Sequence, residues 1–590
     1  MKSFLKMFLA AFLAIVVFLV LIFFIFVGMV GNAVRPPEKA SLDNNSLLAI
    51  DLSDPLPEQR MTNPLNAFLK EKKLEIPGLQ DCIDLIHRAQ SDDHIKGIYL
   101  KLNGDPNGYA TNEALRNALL DFKKSGKFIY AYGDMIPQKA YYTATAADKI
   151  FLNPQGVMDF DGFSMQVMFL KGALDKLEIQ PQIFYDGKFK SATEPLRETQ
   201  MTEANKIQTK AFLGDLYGHF LEGIAQQRDI DTATLFRYAN EGMIRNAHDA
   251  LQYGLVDGLK YDDEVMDALR ERMGLSPASK LRFISLYRYQ KSLGDSKPVL
   301  GVHQKIAVLY AQGEIVDGDK RDGNDRLIAG DDYIRLIRKL RKDSTIKAIV
   351  MRVNSPGGSA LASDHIWREL QLARQDKPVI VSMGDYAASG GYYISCGADS
   401  IFAEPNTLTG SIGVFGIIPN LQSFLKNKLG ITFDGVKTAQ YADLGTMSRP
   451  LTPVEQQFIQ HSIDSVYATF KRKVAEGRHL PEATIDSIAQ GRVWSGTAAV
   501  KLGLADRIGG LKDAVACAAR MANLSFYNVQ EYPQSQDPFQ QLFQDISNNI
   551  QTSFVKKELG AQYTIYEQLK NITETNGSIQ ARLPYEILVR

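Results

Sequence analysis

The chain opens on its longest apolar stretch and then alternates short apolar runs with amphipathic ones. From Met7 to Val30 there are 24 consecutive residues without a charge, mostly Phe, Leu, Val, Ile and Ala. A helix of that length spans roughly 36 Å, enough to cross a hydrocarbon core of about 30 Å with some tilt. Lys2 and Lys6 precede the run and favour a cytoplasmic segment 1–6. The competing reading is a cleaved signal peptide with Gly31-Asn32-Ala33 as its small-x-small site. The apolar core of such a peptide is usually about 7–15 residues, much shorter than this one. Residues 31–46, with Pro36, Pro37, Asn44 and Asn45, read as a linker off the membrane. No later apolar run approaches the roughly 18 residues of a second span, so the rest of the chain is expected on one side.

Beyond the linker, Ile306–Leu309, Ala348–Val353, Pro378–Ser382 and Ser400–Ala403 are apolar or mixed runs of strand length. Between them, Asp331–Lys342 and Ser363–Gln375 carry apolar residues at helical spacing, as in Ile334, Ile337 and Leu340. Strands alternating with helices predict α/β layers around a largely parallel sheet.

The pattern occurs twice. The run from His94 to Asn103 lies 251 residues before that from Thr345 to Asn354, and Tyr141-Tyr142 and Ala147-Asp148 match Tyr392-Tyr393 and Ala398-Asp399 at the same offset. Gly162 pairs with Gly410 and Asp186-Gly187 with Asp434-Gly435 at offset 248, and Gly254-Leu255-Val256-Asp257 returns as Gly503-Leu504-Ala505-Asp506 at offset 249. Such near-constant spacing marks a tandem duplication. Modules are expected at 47–260 and 305–530, with a connector at 261–304 and a Gln- and Asn-rich extension at 531–590 to which the sequence assigns no role.

Composition narrows the chemistry. Lys+Arg and Asp+Glu both number 67, and no basic stripe appears, which argues against a nucleic-acid partner. Cys82, Cys396 and Cys517 are far apart and form neither a disulfide framework nor a metal clip. The eight histidines include no H-E-x-x-H pair, so chemistry without metal or cofactor is expected.

Three motifs follow one another in the second module. Asn354-Ser355-Pro356-Gly357-Gly358-Ser359 links a strand to a helix, where glycines allow a sharp turn and expose backbone N–H groups. Asp385-Tyr386-Ala387-Ala388-Ser389-Gly390-Gly391-Tyr392-Tyr393 and Leu408-Thr409-Gly410-Ser411-Ile412-Gly413-Val414 come next. In this order and spacing they resemble the signal peptide peptidase A (protease IV) family, most closely its long, duplicated, membrane-anchored form. The resemblance extends over nearly the whole chain. It implies the Clp-protease/crotonase-like fold class, a tandem of β-β-α modules, a bacterial inner-membrane location with the bulk periplasmic, and a homo-oligomer, by family a tetramer. The implied substrates are remnant signal peptides and other hydrophobic peptides.

By that resemblance the nucleophile is Ser411 and the general base is Lys190, in Lys190-Ser191-Ala192-Thr193-Glu194-Pro195 of the first module. The duplication makes an independent point. At the position matching Ser411 the first module has Phe163, and at the position matching Lys190 the second has Thr438, so each module keeps half of a dyad. Serine is a weak nucleophile until a base takes its proton, and lysine serves only when neutral. Its ordinary pKa of about 10.4 must therefore fall, which burial at a module interface supplies. Lys188, two residues away, is either a repelling neighbour that helps neutralise Lys190 or a solvated cation. Fold analogy makes Gly357 and Gly358 oxyanion-hole candidates, with Ile412 a third. Ser389 competes as nucleophile, because A-A-S-G-G looks like the Clp-protease motif. Those enzymes use His and Asp, and the nearest such pair here is His365 beside Asp364. Two other classes stand beside the peptidase: a crotonase-like acyl-thioester enzyme and a non-catalytic scaffold for membrane-protein quality control.

Overall fold

The computed structural model describes residues 42–62, 75–294, 301–319, 327–534 and 577–583, with a few positions between 12 and 20. The anchor expected over 7–30 and most of the linker lie outside these residues. Among the described residues no helix is long and apolar enough to cross a membrane.

Each module is built on a parallel sheet, as strand–helix alternation requires: a parallel neighbour is reached only by a crossover. In the first, the strands run in the order Gly258–Leu259, Lys149–Met158, Phe128–Ile136, Ile95–Lys101, Ser46–Asp51, Arg282–Ser285. In the second, Val379–Ala388, Ile346–Ser355, Lys305–Gln312 and Asn528–Tyr532 repeat that order, with Ser400–Ala403 and Arg507–Ile508 branching from Val379–Ala388. The duplication is thus visible in topology. It also places Arg282–Ser285, which falls in the segment 261–304 read as a connector, beside Ser46–Asp51, where Asn528–Tyr532 stands in the second module. A four-residue strand of mixed polarity carries no period by which to assign it.

Strand Ile346–Ser355 is buried throughout except at Lys347 and Asn354, as expected of a central strand covered on both faces. The helix expected from Ser363 begins at Ala360, because the Ser359 hydroxyl accepts from the Ala362 N–H and starts it a turn earlier. The strand expected to end at Ser382 continues to Ala388, because its distal half pairs with Leu408–Gly410. The two modules have separate apolar cores, one around Ile98, Ile129 and Ile150 and the other around Ile349, Val381 and Ile401.

A third sheet joins them. Gln180–Asp186 of the first module lies antiparallel to Val414–Asn420 of the second along its whole length. Buried polar groups add to the junction. Asp385 accepts from the N–H groups of Ala110 and Thr111 and from the Thr111 hydroxyl. Arg352 donates to Glu58 at 2.8 Å with both side chains almost fully buried. Removing one partner of such a pair strands a charge in a dry place, so these contacts fix how the modules meet more than they add net stability.

Candidate active site

Ser389 stands where Val379–Ala388 turns into the short helix Gly390–Ser395. Its backbone has φ 54°, a left-handed value rare for serine, which turns the side chain off the strand axis. The Ser389 N–H donates to the Gly410 carbonyl at 2.8 Å, and Tyr386–Ala388 pairs with Leu408–Gly410, so Ser411 is brought alongside. Ser411 also has positive φ, 50°, and its N–H donates to the Arg492 carbonyl at 2.7 Å.

Lys190 arrives from the other module. After Gln180–Asp186 the chain turns at Gly187 and presses against Gln490-Gly491, where a Cβ on Gly491 would stand 2.7 Å from Lys190 Cα. Only glycine fits there. The Phe189 N–H donates to the Gln490 carbonyl at 2.7 Å, while Gln208 donates to the Phe189 carbonyl and the Ser191 hydroxyl, both at 3.0 Å. Glu194 of the same motif is buried and accepts from Asn205 at 2.8 Å, tying the lysine loop to the helix Glu203–Arg228.

The Lys190 Nζ lies 2.9 Å from Ser389 Oγ, 3.1 Å from Ser411 Oγ and 3.3 Å from the Ser411 carbonyl oxygen. It is 1% exposed. Burial alone pushes its ammonium down from 10.5 to about 7. Lys188 is exposed, its ammonium 5.8 Å from the Phe189 ring, and plays no part in that shift. The two residues alternate between solvent and interior as a strand-like spacing does not, because a turn follows Gly187. The Ser389 hydroxyl also reaches the Gly413 carbonyl at 3.4 Å.

The structure therefore brings together both halves of the expected dyad, and adds Ser389 at least as close to the lysine as Ser411. His365 is exposed on its helix, and Asp364 is engaged by Tyr393 and Lys473. A His–Asp pair is not what faces Ser389; Lys190 is. The A-A-S-G-G run was the signal for Ser389, but its approach to Lys190 depends on two strands meeting across 22 residues of chain and on a third from the other module.

Of the oxyanion candidates, Gly357 makes a local contact. Its N–H donates to the Ser355 hydroxyl at 3.2 Å and is engaged there. Gly358 is paired across the groove instead. Strand Gly357–Ser359 lies antiparallel to Ile579–Arg582, and the Leu583 N–H donates to the Pro356 carbonyl at 2.8 Å. Two residues along, alternation of the ladder makes Gly358 and Ala581 a hydrogen-bonded pair. A Cβ on Gly357 would stand 2.1 Å from the Ala581 oxygen, and one on Gly390 3.0 Å from it. That carbonyl thus lies between the Gly357-Gly358 strand and the residue directly after Ser389. Ile412 is fully buried, and its carbonyl accepts from Gly491.

The sequence matches peptidase family S49 over residues 121–276 and 371–525, more than half of the chain, and the Clp protease family over 327–409. It is 37% identical to a protein named Protease 4 from Salmonella typhi, over 87% of this chain and 84% of that one. It is 35% identical to a chloroplastic serine protease SPPA of Arabidopsis thaliana, over 84% of this chain and 72% of that one. A protein named as a putative signal peptide peptidase SppA from Enterococcus faecium is 32% identical, over 46% of this chain and 75% of its own.

Proposed function

Because the chain belongs to peptidase family S49 and is a serine peptidase, we propose that it is a Ser–Lys endopeptidase working through an acyl-enzyme on hydrophobic peptides such as remnant signal peptides. The observation that carries this reading is a desolvated Lys190 amine within hydrogen-bond reach of two serine hydroxyls. A lysine with pKa about 7 is a neutral base in half of the molecules at pH 7 and the corresponding acid in the rest, matched to taking and returning one proton.

The geometry supports Ser389 as the attacking serine and Ser411 as the residue that holds the lysine. Ser389 has the shorter contact to Nζ and the strained strand-to-helix position, and its neighbour Gly390 adjoins the groove carbonyl. Ser411 accepts from Nζ through both its hydroxyl and its carbonyl, which fixes the amine in place. The Clp-family match includes Ser389 and ends before Ser411. In this arrangement Lys190 takes the Ser389 proton, the hydroxyl oxygen attacks the peptide carbonyl, and the N–H groups of Gly358 and Gly390 face the oxygen that gains charge. The second reading, with Ser411 attacking and Ser389 holding, rests on the family motif, and kinetics separate the two. Ser389→Ala is expected to abolish hydrolysis of a fluorogenic peptide, and Ser411→Ala to retain a residual rate some 10²–10³ below wild type, the range for loss of a positioned polar group. The reverse ranking would return the nucleophile to Ser411.

Residues 7–30 anchor the protein in the inner membrane with residues from 47 onward on the periplasmic side, a placement supported by the uncharged run behind Lys2 and Lys6. It meets peptides left in the bilayer from that side. Protease added to spheroplasts should digest everything beyond the linker; full protection would overturn this topology.

A further inference from the structure

One side chain ties the lysine loop to the strands that carry the serines. Gln208 lies in the helix Glu203–Arg228 of the first module and is 1% exposed. Its amide nitrogen donates to the Phe189 carbonyl and to the Ser191 hydroxyl, both at 3.0 Å, and so grips the chain on either side of Lys190. Its amide oxygen accepts from the Val493 N–H of the second module at 3.2 Å. Val493 is paired with Gly410, whose carbonyl accepts from the Ser389 N–H and whose next residue is Ser411. The amide has only one useful orientation. A carbonyl accepts and a backbone N–H donates, so the nitrogen must face Phe189 and the oxygen Val493. A glutamate would keep the acceptor and lose both donors, and an asparagine is one methylene too short.

The duplication supplies a second observation. The helix Pro453–Arg478 repeats Glu203–Arg228, with the N-caps Thr202 and Thr452 and the last residues Arg228 and Arg478 each 250 residues apart. At that spacing Gln208 is matched by Phe458, which is 44% exposed. The module with Thr438 in place of the lysine thus has an exposed phenylalanine in place of the glutamine.

We propose that Gln208 is a positioning residue for the reaction, holding Lys190 Nζ at the serines by fastening the lysine loop to strand Val493–Ser495; the inference rests on the Ser–Lys reading above. Gln208 acts through its neighbours and not on the reacting atoms. Freed of this contact, the loop shifts against Gly491, Nζ leaves its place between the two hydroxyls, and water reaches it. A displacement of about 1 Å at a reacting group costs roughly 10²-fold in rate. Burial alone lowers the Lys190 pKa, so hydration returns it toward 10.5. Asp215 separates this role from plain docking of the modules. It lies about 10 Å farther along the same helix and accepts from the Ser495 hydroxyl of the same strand at 2.6 Å.

The test is kcat and KM for a fluorogenic peptide from pH 6 to pH 10 in the full chain, with thermal unfolding of each protein followed alongside. Wild type is compared with Gln208→Met, Gln208→Glu and Asp215→Ala. Gln208→Met, which fills the same space, should keep KM within about twofold, lose about 10²-fold in kcat and titrate about one pH unit or more above wild type. Gln208→Glu should titrate higher still, because a buried anion facing the loop favours the ammonium form. Asp215→Ala should unfold at a lower temperature yet titrate like wild type. If Gln208→Met does not fold, Gln208→Glu, which has the same shape, decides by its midpoint. Equal midpoints in wild type and the folded Gln208 variants, or a shift in Asp215→Ala as large as theirs, overturns the positioning role and leaves the Ser–Lys reading intact. A wild type whose activity does not titrate between pH 6 and pH 9 overturns both.

Discussion

Replacing Lys190 by Met exchanges a buried amine for an apolar chain of similar length, and its effect on stability follows from the proton balance. Unfolded, the lysine binds its proton with the ordinary pKa of 10.5; folded, burial lowers that to about 7. Between these values the unfolded state binds more protons, so ∂ΔG/∂pH for unfolding is positive and wild-type stability from this group rises with pH. The penalty is fully present below about pH 7 and is relieved as pH approaches 10.5. At 1.36 kcal/mol per unit, it amounts to about 5 kcal/mol at pH 6 and about 2 kcal/mol at pH 9. The Met variant escapes the penalty but forgoes contacts to Ser389 and Ser411, together about 2 kcal/mol and independent of pH. It should therefore be more stable than wild type by about 3 kcal/mol at pH 6 and nearly equal to it at pH 9. Urea unfolding of the two proteins at both pH values measures this. Using the difference between them matters, since buried Glu404, pushed up to about 7, contributes a pH dependence of the opposite sign that both proteins share. A stability difference that does not change between pH 6 and pH 9 would refute a neutralised Lys190. So would a Met variant less stable than wild type at pH 6.

The same ionisation governs rate: kcat/KM should climb about tenfold per unit below pH 7 and level off above about pH 8, and a flat profile from pH 6 to 9 would remove Lys190 as base. Lys190→Arg, which stays charged and too bulky for the site, should be inactive across that range, with restored activity at high pH counting against the account. The protein is expected to be a homo-oligomer, and the resemblance implies a tetramer forming a bowl or dome over the membrane. Tyr185-Asp186, which pairs with the second module, has its repeat match in Phe433-Asp434, and Ile431, Phe433 and Val436 are instead exposed. The segment of the first module that matches Val414–Ile418, 166–170, alternates exposed residues with more buried ones outside any described strand. Antiparallel pairing of these two segments between copies would repeat the internal contact and close a ring. Phe433→Asp with Val436→Asp should lower the sedimenting species to a monomer; a wild type that is monomeric at micromolar concentration would contradict this.

How much of this was legible depended on how local each signal was. The duplication, the parallel layering and the helix faces around Ile337 and Leu340 came from periodicity and spacing, which act within a few turns of chain. Lys190 and Ser411 are named by the family resemblance, with the reciprocal loss at Phe163 and Thr438 as independent support, and they stand 3.1 Å apart. Ser389 was visible as a motif but not as a partner of lysine, since that contact needs Leu408–Gly410 laid against Tyr386–Ala388 and a loop from the other module. The contact of the Gly357 N–H with the Ser355 hydroxyl is not legible either, since sequence does not show that side chain turning back. Ile579–Arg582 has no hydrophobic period and owes its conformation entirely to strands more than 150 residues away, so nothing nearby announced it.

The most direct test of a Lys190-activated serine in this groove is covalent labelling of the full-length protein with a fluorophosphonate, followed by peptide mapping of the modified residue. The expected result is a single adduct on Ser389 that forms faster as pH rises through about 7, persists in Ser411→Ala at reduced rate and is lost in Lys190→Ala. An adduct on Ser411 would exchange the roles of the two serines. An adduct on either serine that forms at an undiminished rate in Lys190→Ala would contradict the central claim.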